Sequence, residues 1–175
     1  MEQVKKLFEK SHLPAAKLWG TNLHNGEEWK MSFNYSENDD EIFRIASMTK
    51  LLTTIGSLQL VERGEIKLDE PVNKYIPSIS DVGVIDEQGV LKPSDSEVNL
   101  TQLLTHTSGF AYPFTSEILD SYLDRPRGPA NPREFLTWPK VFNSGENFCY
   151  GVGIDWVGKL IETIFLANES SSPPW

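Results

Sequence analysis

From Met48 to Leu58 the apolar residues Met48, Leu51, Leu52, Ile55 and Leu58 fall three and four positions apart, the repeat of one helical face. A strand would throw neighbouring members of this set to opposite sides, because its side chains alternate. The stretch therefore predicts a helix, ended by Gly64, whose apolar face must be buried against other elements. At 175 residues, 39% of them hydrophobic, the chain is long enough to build such a core as one modest domain.

The flanking segments carry weaker signals. Residues 2–12 place Val4, Leu7 and Phe8 at helical spacing among charges, a short amphipathic helix closed by Pro14. Asn25-Gly26 lies between segments bearing Leu18, Trp19, Trp29, Met31 and Phe33, which predicts a β-hairpin. "EIKLDEPVNKYIPSIS" reads as an extended connector and the acidic "DVGVIDEQGVLKPSDSEV" as a solvated loop. Asn99 or Thr101 can cap a short helix that stops at Gly109, and a further helix is expected from Ile118 to Leu123 before the Pro/Gly-rich "RPRGPANP". Helical spacing returns through Ile154, Val157, Leu160, Ile161 and Ile164, and the polar, proline-rich "NESSSPPW" predicts no structure.

Charge narrows the partners. Lys and Arg number 16 against 25 Asp and Glu, a formal charge of −9 that repels phosphate backbones and anionic lipid surfaces. Nucleic acid and membrane partners are disfavoured, and no stretch is long and apolar enough to cross a bilayer. The opening residues do not read as a secretory signal, and the single cysteine, Cys149, supports neither a disulfide framework nor a cysteine-rich zinc site. His12, His24 and His106 lack metal-ligand spacing. The expectation is a cytoplasmic protein without metal or cofactor, its oligomeric state open.

The chemistry sits at the mouth of the helix. Ser47 precedes Lys50 by three residues, which on a helix puts the two side chains one turn apart on one face. A serine hydroxyl becomes a nucleophile when a neighbour takes its proton, and a partly desolvated lysine is a possible base. Backbone N–H groups and the dipole at a helix start would favour a developing alkoxide. The same pattern also fits a plain N-cap serine and a solvated surface lysine, and by itself it leaves both open. Cys149 has no histidine nearby in sequence to activate it and reads as a small buried hydrophobe.

The wider context selects between them. "ASMTKLLTTIGSLQLVERGEIKLDEPVNKYIP", then "NLTQLLTHTSGF", then "CYGVGIDWVGKLIE" resembles, in order and spacing, the serine β-lactamase-related superfamily, within it class C β-lactamases, family VIII carboxylesterases and fungal acyltransferases. The resemblance implies an α+β fold of the β-lactamase/transpeptidase type, an antiparallel sheet flanked by helices with a helical lobe. It implies Ser47 as the acylated nucleophile, Lys50 as its activating partner and Tyr150 as the proton shuttle, acting on a small-molecule ester or acyl substrate. A phenol near an ammonium has its phenolate favoured, so Lys50 and Tyr150 can share the base role. His106, Asp155 and Trp156 are expected to be structural. Val152 stands where lactamase-type members carry asparagine, which disfavours β-lactam hydrolysis.

On the same resemblance, the strands that complete the sheet, a third family motif and half of the oxyanion hole would follow residue 165 and are expected to be missing. Residues 1–167 then form the N-terminal part of a β-lactamase-related domain and 168–175 an unstructured tail. Three functions compete: a serine esterase or transesterase, a catalytically impaired remnant with a binding or regulatory role, and, less favoured, a protein acylated by β-lactams. The aromatic residues of "FAYPF" and "FLTWP" either line an acyl pocket or simply pack.

Overall fold

The computed structural model describes residues 2–35, 42–123 and 134–171, and "RPRGPANP" lies outside the described residues. The chain divides into two compact units, Met1–Arg44 and Ile45–Trp175. In the first, α1 (Glu2–Lys10) is followed by a hairpin of β1 (Ala16–Thr21) and β2 (Glu28–Phe33). The strands pair antiparallel from Ala16 opposite Phe33 to Thr21 opposite Glu28. Gly26 takes φ +72° in the connection, the left-handed conformation that Asn-Gly predicts. Phe8 of α1 stacks on Phe33 with ring centroids 4.4 Å apart, while Leu7 remains 68% exposed, so only part of the expected apolar face is used.

The second unit holds the predicted central helix, α2 (Thr49–Glu62), but turns it the other way. Met48, Leu51, Leu52, Ile55 and Leu58 are all exposed, and Ser57 and Leu60 are the buried residues of α2. The reason is local size. At Gly56 a Cβ would lie 3.4 Å from Ile161 Cδ1, so the narrow side of α2 lets α5 (Gly153–Ser171) approach closely. The helix is apolar on two sides, and periodicity marked the more strongly apolar one.

Two segments read as loop carry core instead. The connector contains 3-10 turns at Val72–Lys74 and Pro77–Asp81, with Ile66, Val72, Ile76 and Ile79 buried. The acidic segment forms a small hairpin of β3 (Val84–Ile85) and β4 (Leu91–Lys92), turned at Asp86, whose side chain accepts from Gln88 N and Val90 N. Burying Ile85 requires its backbone to be paired, and Lys140 supplies both partners: Lys140 N donates to Gly83 O and Ile85 N to Lys140 O, each at 2.9 Å. Such non-local pairings leave no periodic trace in a two-residue strand.

Short helices complete this unit. Asn99 caps α3 (Leu100–Leu104) through a capping box with Gln102, and this helix ends five residues before Gly109. His106, at φ +58°, turns the chain out of it. The expected α4 (Glu117–Leu123) buries Leu119. Helix α5 buries Ile154, Val157, Leu160 and Ile164 at the predicted spacing and continues through Ser171, beyond the boundary drawn at 168. Once a helix is nucleated each added residue costs little, and Asn168 Nδ2 donates to Glu65 Oε2 at 2.7 Å, tethering the turn where the tail was expected to begin. Residues 172–175 lie outside the described residues.

Candidate active site

Ser47 sits in a 3-10 turn, Ala46–Met48, that leads into α2. The residue before it, Ala46, has φ +43°, a left-handed conformation unfavourable for a residue with a Cβ, and the turn directs the Ser47 hydroxyl away from a capping role: α2 has no side-chain N-cap. Lys50, one helical turn on, donates from Nζ to Ser47 Oγ at 3.3 Å. Both halves of the spacing argument therefore meet in space.

Tyr150 comes from the segment just before α5, 103 positions along the chain, and its Oη donates to Ser47 Oγ at 2.7 Å. Its neighbour Gly151 makes this possible. A Cβ there would lie 2.1 Å from Phe110 O, so only glycine lets the tyrosine segment press against the strand-like stretch after the "HTSG" turn. His106 closes the other side: Gly151 N donates to His106 Nδ1 at 3.4 Å, and the imidazole lies against the Tyr150 ring with centroids 4.7 Å apart. Burial, with the positive charge of Lys50 adding to it, holds His106 below its ordinary range, consistent with a neutral imidazole that accepts this bond.

Lys50 lies between two phenols, 4.9 Å from the Tyr150 ring centroid and 5.4 Å from that of Tyr112. Burial pulls Lys50 down, but hydrogen bonding to Tyr150 and Tyr112 outweighs it, and the net shift is upward. The net direction favours the ammonium, so the two phenols oppose the base role that desolvation would give Lys50. Tyr150 moves the opposite way: its bonds with Lys50 and then Ser47 lower its phenol. Of the two groups on Ser47, Tyr150 is the one whose deprotonated form its neighbours favour.

Tyr112 was not singled out as a site residue by its sequence. It lies in "FAYPF", and the visible signal is its place three residues after the "THTSG" run. Burial raises its phenol above the ordinary range, so it stays protonated beside the lysine, and its ring stacks on Phe114 at 5.0 Å. Phe110 of the same stretch instead packs on Trp156 in the core, and "FLTWP" packs too, Trp138 being buried with its ring edge against Phe135. The candidate acyl trough thus reduces to Tyr112 and the exposed Phe114. Trp156 is 2% exposed and Val152 fully buried, while Asp155 is half-buried with Oδ2 unpartnered among the described residues. Cys149 is half-buried, its Sγ 3.6 Å from Thr115 Oγ1.

Comparison with known proteins fits this arrangement. The sequence profile of the beta-lactamase family matches residues 15–169. Acyltransferase calJ of Penicillium decumbens is 37% identical over 135 residues, covering 72% of this chain and 32% of its own. Lovastatin esterase of Penicillium rubens is 34% identical over 135 residues, covering 71% and 34%. Unliganded simvastatin synthase of Aspergillus terreus superposes with a TM-score of 0.73 at 31% identity, over 91% of this chain and 46% of that one. A class C beta-lactamase mutant superposes with a TM-score of 0.65 at 15% identity, a likeness of fold alone. The chain spans about a third of the length of these curated relatives and under half that of the solved ones.

Proposed function

The chain belongs to the beta-lactamase family, and from that premise we propose that it transfers acyl groups from small-molecule esters through an acyl-enzyme on Ser47. The observation that carries this reading is the 2.7 Å bond from Tyr150 Oη to Ser47 Oγ with the Lys50 ammonium beside both. As Ser47 Oγ attacks the ester carbonyl carbon, Tyr150 in its phenolate form takes the hydroxyl proton, and Lys50 stabilises the phenolate without itself exchanging a proton. Collapse of the tetrahedral intermediate expels the alcohol, which receives that proton from Tyr150. In the second half, Tyr150 removes a proton from water or an acceptor alcohol as it attacks the acyl-enzyme, and when the bond from Ser47 Oγ to the acyl carbon breaks the proton returns from Tyr150 to Ser47. Fungal relatives named as acyltransferases and as an esterase support both acceptors.

Tyr112, fixed as a neutral phenol on Lys50, positions the ammonium. Phe114 extends an aromatic surface from it, suited to an apolar acyl or alkoxy group. The test is a 4-nitrophenyl ester assay joined to peptide mapping of the trapped acyl group. A burst of nitrophenol with acyl mass on Ser47, lost in Ser47→Ala, is expected; folded protein with no acyl group on Ser47 would defeat the proposal. The reading of a catalytically impaired remnant with a binding role rests on one observation, the exposed apolar stripe of α2 beside Ser47. It would be favoured by that second outcome.

A further inference from the structure

Lys140 has its backbone bound to β3 and its side chain in the interior, the residue as a whole 1% exposed. Among the described residues its ammonium has hydroxyl partners only: Nζ donates to Ser94 Oγ and, at 3.3 Å, to Ser144 Oγ. A lysine taken out of water with no carboxylate in contact is destabilised as a cation. Here burial lowers it to about 8, with Glu146 acting from a distance in the opposite sense. This is the shift that Lys50 does not show, and it is the one a general base for serine needs.

The serines around it are oriented. Ser144 Oγ donates to Ser108 O at 3.0 Å, and Ser144 N donates to Ser96 Oγ at 2.7 Å, so the Ser144 hydroxyl is a fixed acceptor that aims the lysine. Ser94 Oγ accepts from Lys140 and gives its proton to Ser96 O at 3.2 Å. Ser94, Ser96, Ser80 and Lys140 line a cavity of about 230 Å³, with Asp95 and Glu97 also in its wall. Ser94 and Ser96 are half-buried and the two carboxylates exposed, so the hydroxyls lie inside an acidic entrance. The cavity shares no lining residue with the Ser47 site.

We propose that Ser94 and Lys140 form a second nucleophilic pair, in which Ser94 is modified by small uncharged acyl or sulfonyl electrophiles with Lys140 as the base. When Lys140 is neutral the Ser94–Lys140 contact reverses direction, the hydroxyl donating to the amine. Ser94 Oγ then attacks the electrophilic centre, the bond to the leaving group breaks, and the serine proton passes to Lys140 Nζ. With phenylmethanesulfonyl fluoride the new bond is Oγ–S, the broken bond S–F, and fluoride departs. Asp95 and Glu97 repel anionic reagents, and the volume restricts the adduct to small groups. The site does not depend on the acyl-enzyme reading of Ser47.

The test is treatment of Ser47→Ala protein with phenylmethanesulfonyl fluoride, read by intact mass and peptide mapping. A single adduct on Ser94 is expected, forming at least tenfold faster at pH 8.5 than at pH 6.5 and levelling above the lysine's value of about 8. Ser94→Ala added to this protein removes the adduct, and Ser94→Ala alone leaves ester turnover at Ser47 unchanged, so failure here and failure at Ser47 are read separately. Lys140→Met slows it at least tenfold with the near-UV circular dichroism of the folded protein retained. No adduct on Ser94 in folded Ser47→Ala protein overturns the proposal, as does undiminished labelling in folded Lys140→Met. Should that variant not fold, the pH profile of the Ser47→Ala protein decides, a rate flat across this range counting against the pair.

Discussion

At the scale of single residues, the site separates two phenols by environment. Tyr150 is lowered by Lys50 and Ser47, whereas Tyr112 is raised by burial and stays a neutral phenol that accepts from the Lys50 ammonium. Ester turnover should therefore rise with pH through a range below that of an ordinary phenol, and hold until Lys50 loses its proton above the ordinary lysine range. Replacing Lys50 with methionine removes the group that favours the phenolate. The rising limb then moves to higher pH, and phenolate absorbance of Tyr150 should move with it; a limb that stays in place would mean that another group titrates. Tyr112→Phe keeps the ring and loses the bond to Lys50. One hydrogen bond to a charged group is involved, so kcat/KM is expected to fall by about tenfold, while Ser47→Ala and Tyr150→Phe abolish turnover. Ser47, Lys50 and Tyr150 were all readable from the chain through their motifs. The opposite directions in which Lys50 and Tyr150 are shifted were not, since they depend on Tyr112 closing over the lysine from a distant segment.

Among elements, the small ones carry disproportionate weight. Asn99 accepts from Gln102 N at 2.9 Å and Gln102 Oε1 accepts from Asn99 N at 3.0 Å, so Asn99→Ala removes a reciprocal cap from a helix of five residues. A loss of about 1 kcal/mol is expected by urea unfolding. Gly151→Ala is more severe, because the new methyl would sit 2.1 Å from Phe110 O and must displace either backbone. Turnover should drop with Tyr150 shifted off Ser47, and a variant with unchanged kcat would show that the segment has slack. Hairpin β1–β2, the cap of α3 and the periodic face of α5 follow from local signals. Hairpin β3–β4 does not: its residues are acidic and turn-rich, and what holds it is Lys140, more than fifty positions away. Helix α2 shows the converse, a strong pattern that predicts the helix but not its orientation.

For the whole molecule, two features follow from what is and is not covered. The stripe of α2 is exposed, Leu51 and Leu52 by 64% and 62%, and Phe165 and Leu166 of α5 are exposed as well. Apolar surface of this kind drives association. Sedimentation should show the 175-residue chain self-associating as concentration rises, and the double variant Leu51→Lys, Leu52→Lys should stay monomeric with Tm little changed. Lys140 imposes a pH dependence in the interior. Its folded value of about 8 lies below the ordinary 10.5, so the folded state binds fewer protons between these limits and gains stability as pH rises through them. Lys140→Met lacks this gain, so its stability in urea relative to wild type should fall between pH 7 and pH 10. The sequence by itself determined the family, the three residues that meet at Ser47, the main helices and the first hairpin, because each is written in local spacing or a short motif. The tertiary structure alone decided which face of α2 is buried, that Tyr112 closes over Lys50 beside Ser47, and that Lys140 lies inside among serines. Those outcomes depend on contacts between segments tens of residues apart, where burial and neighbouring charge, not pattern, set the energy.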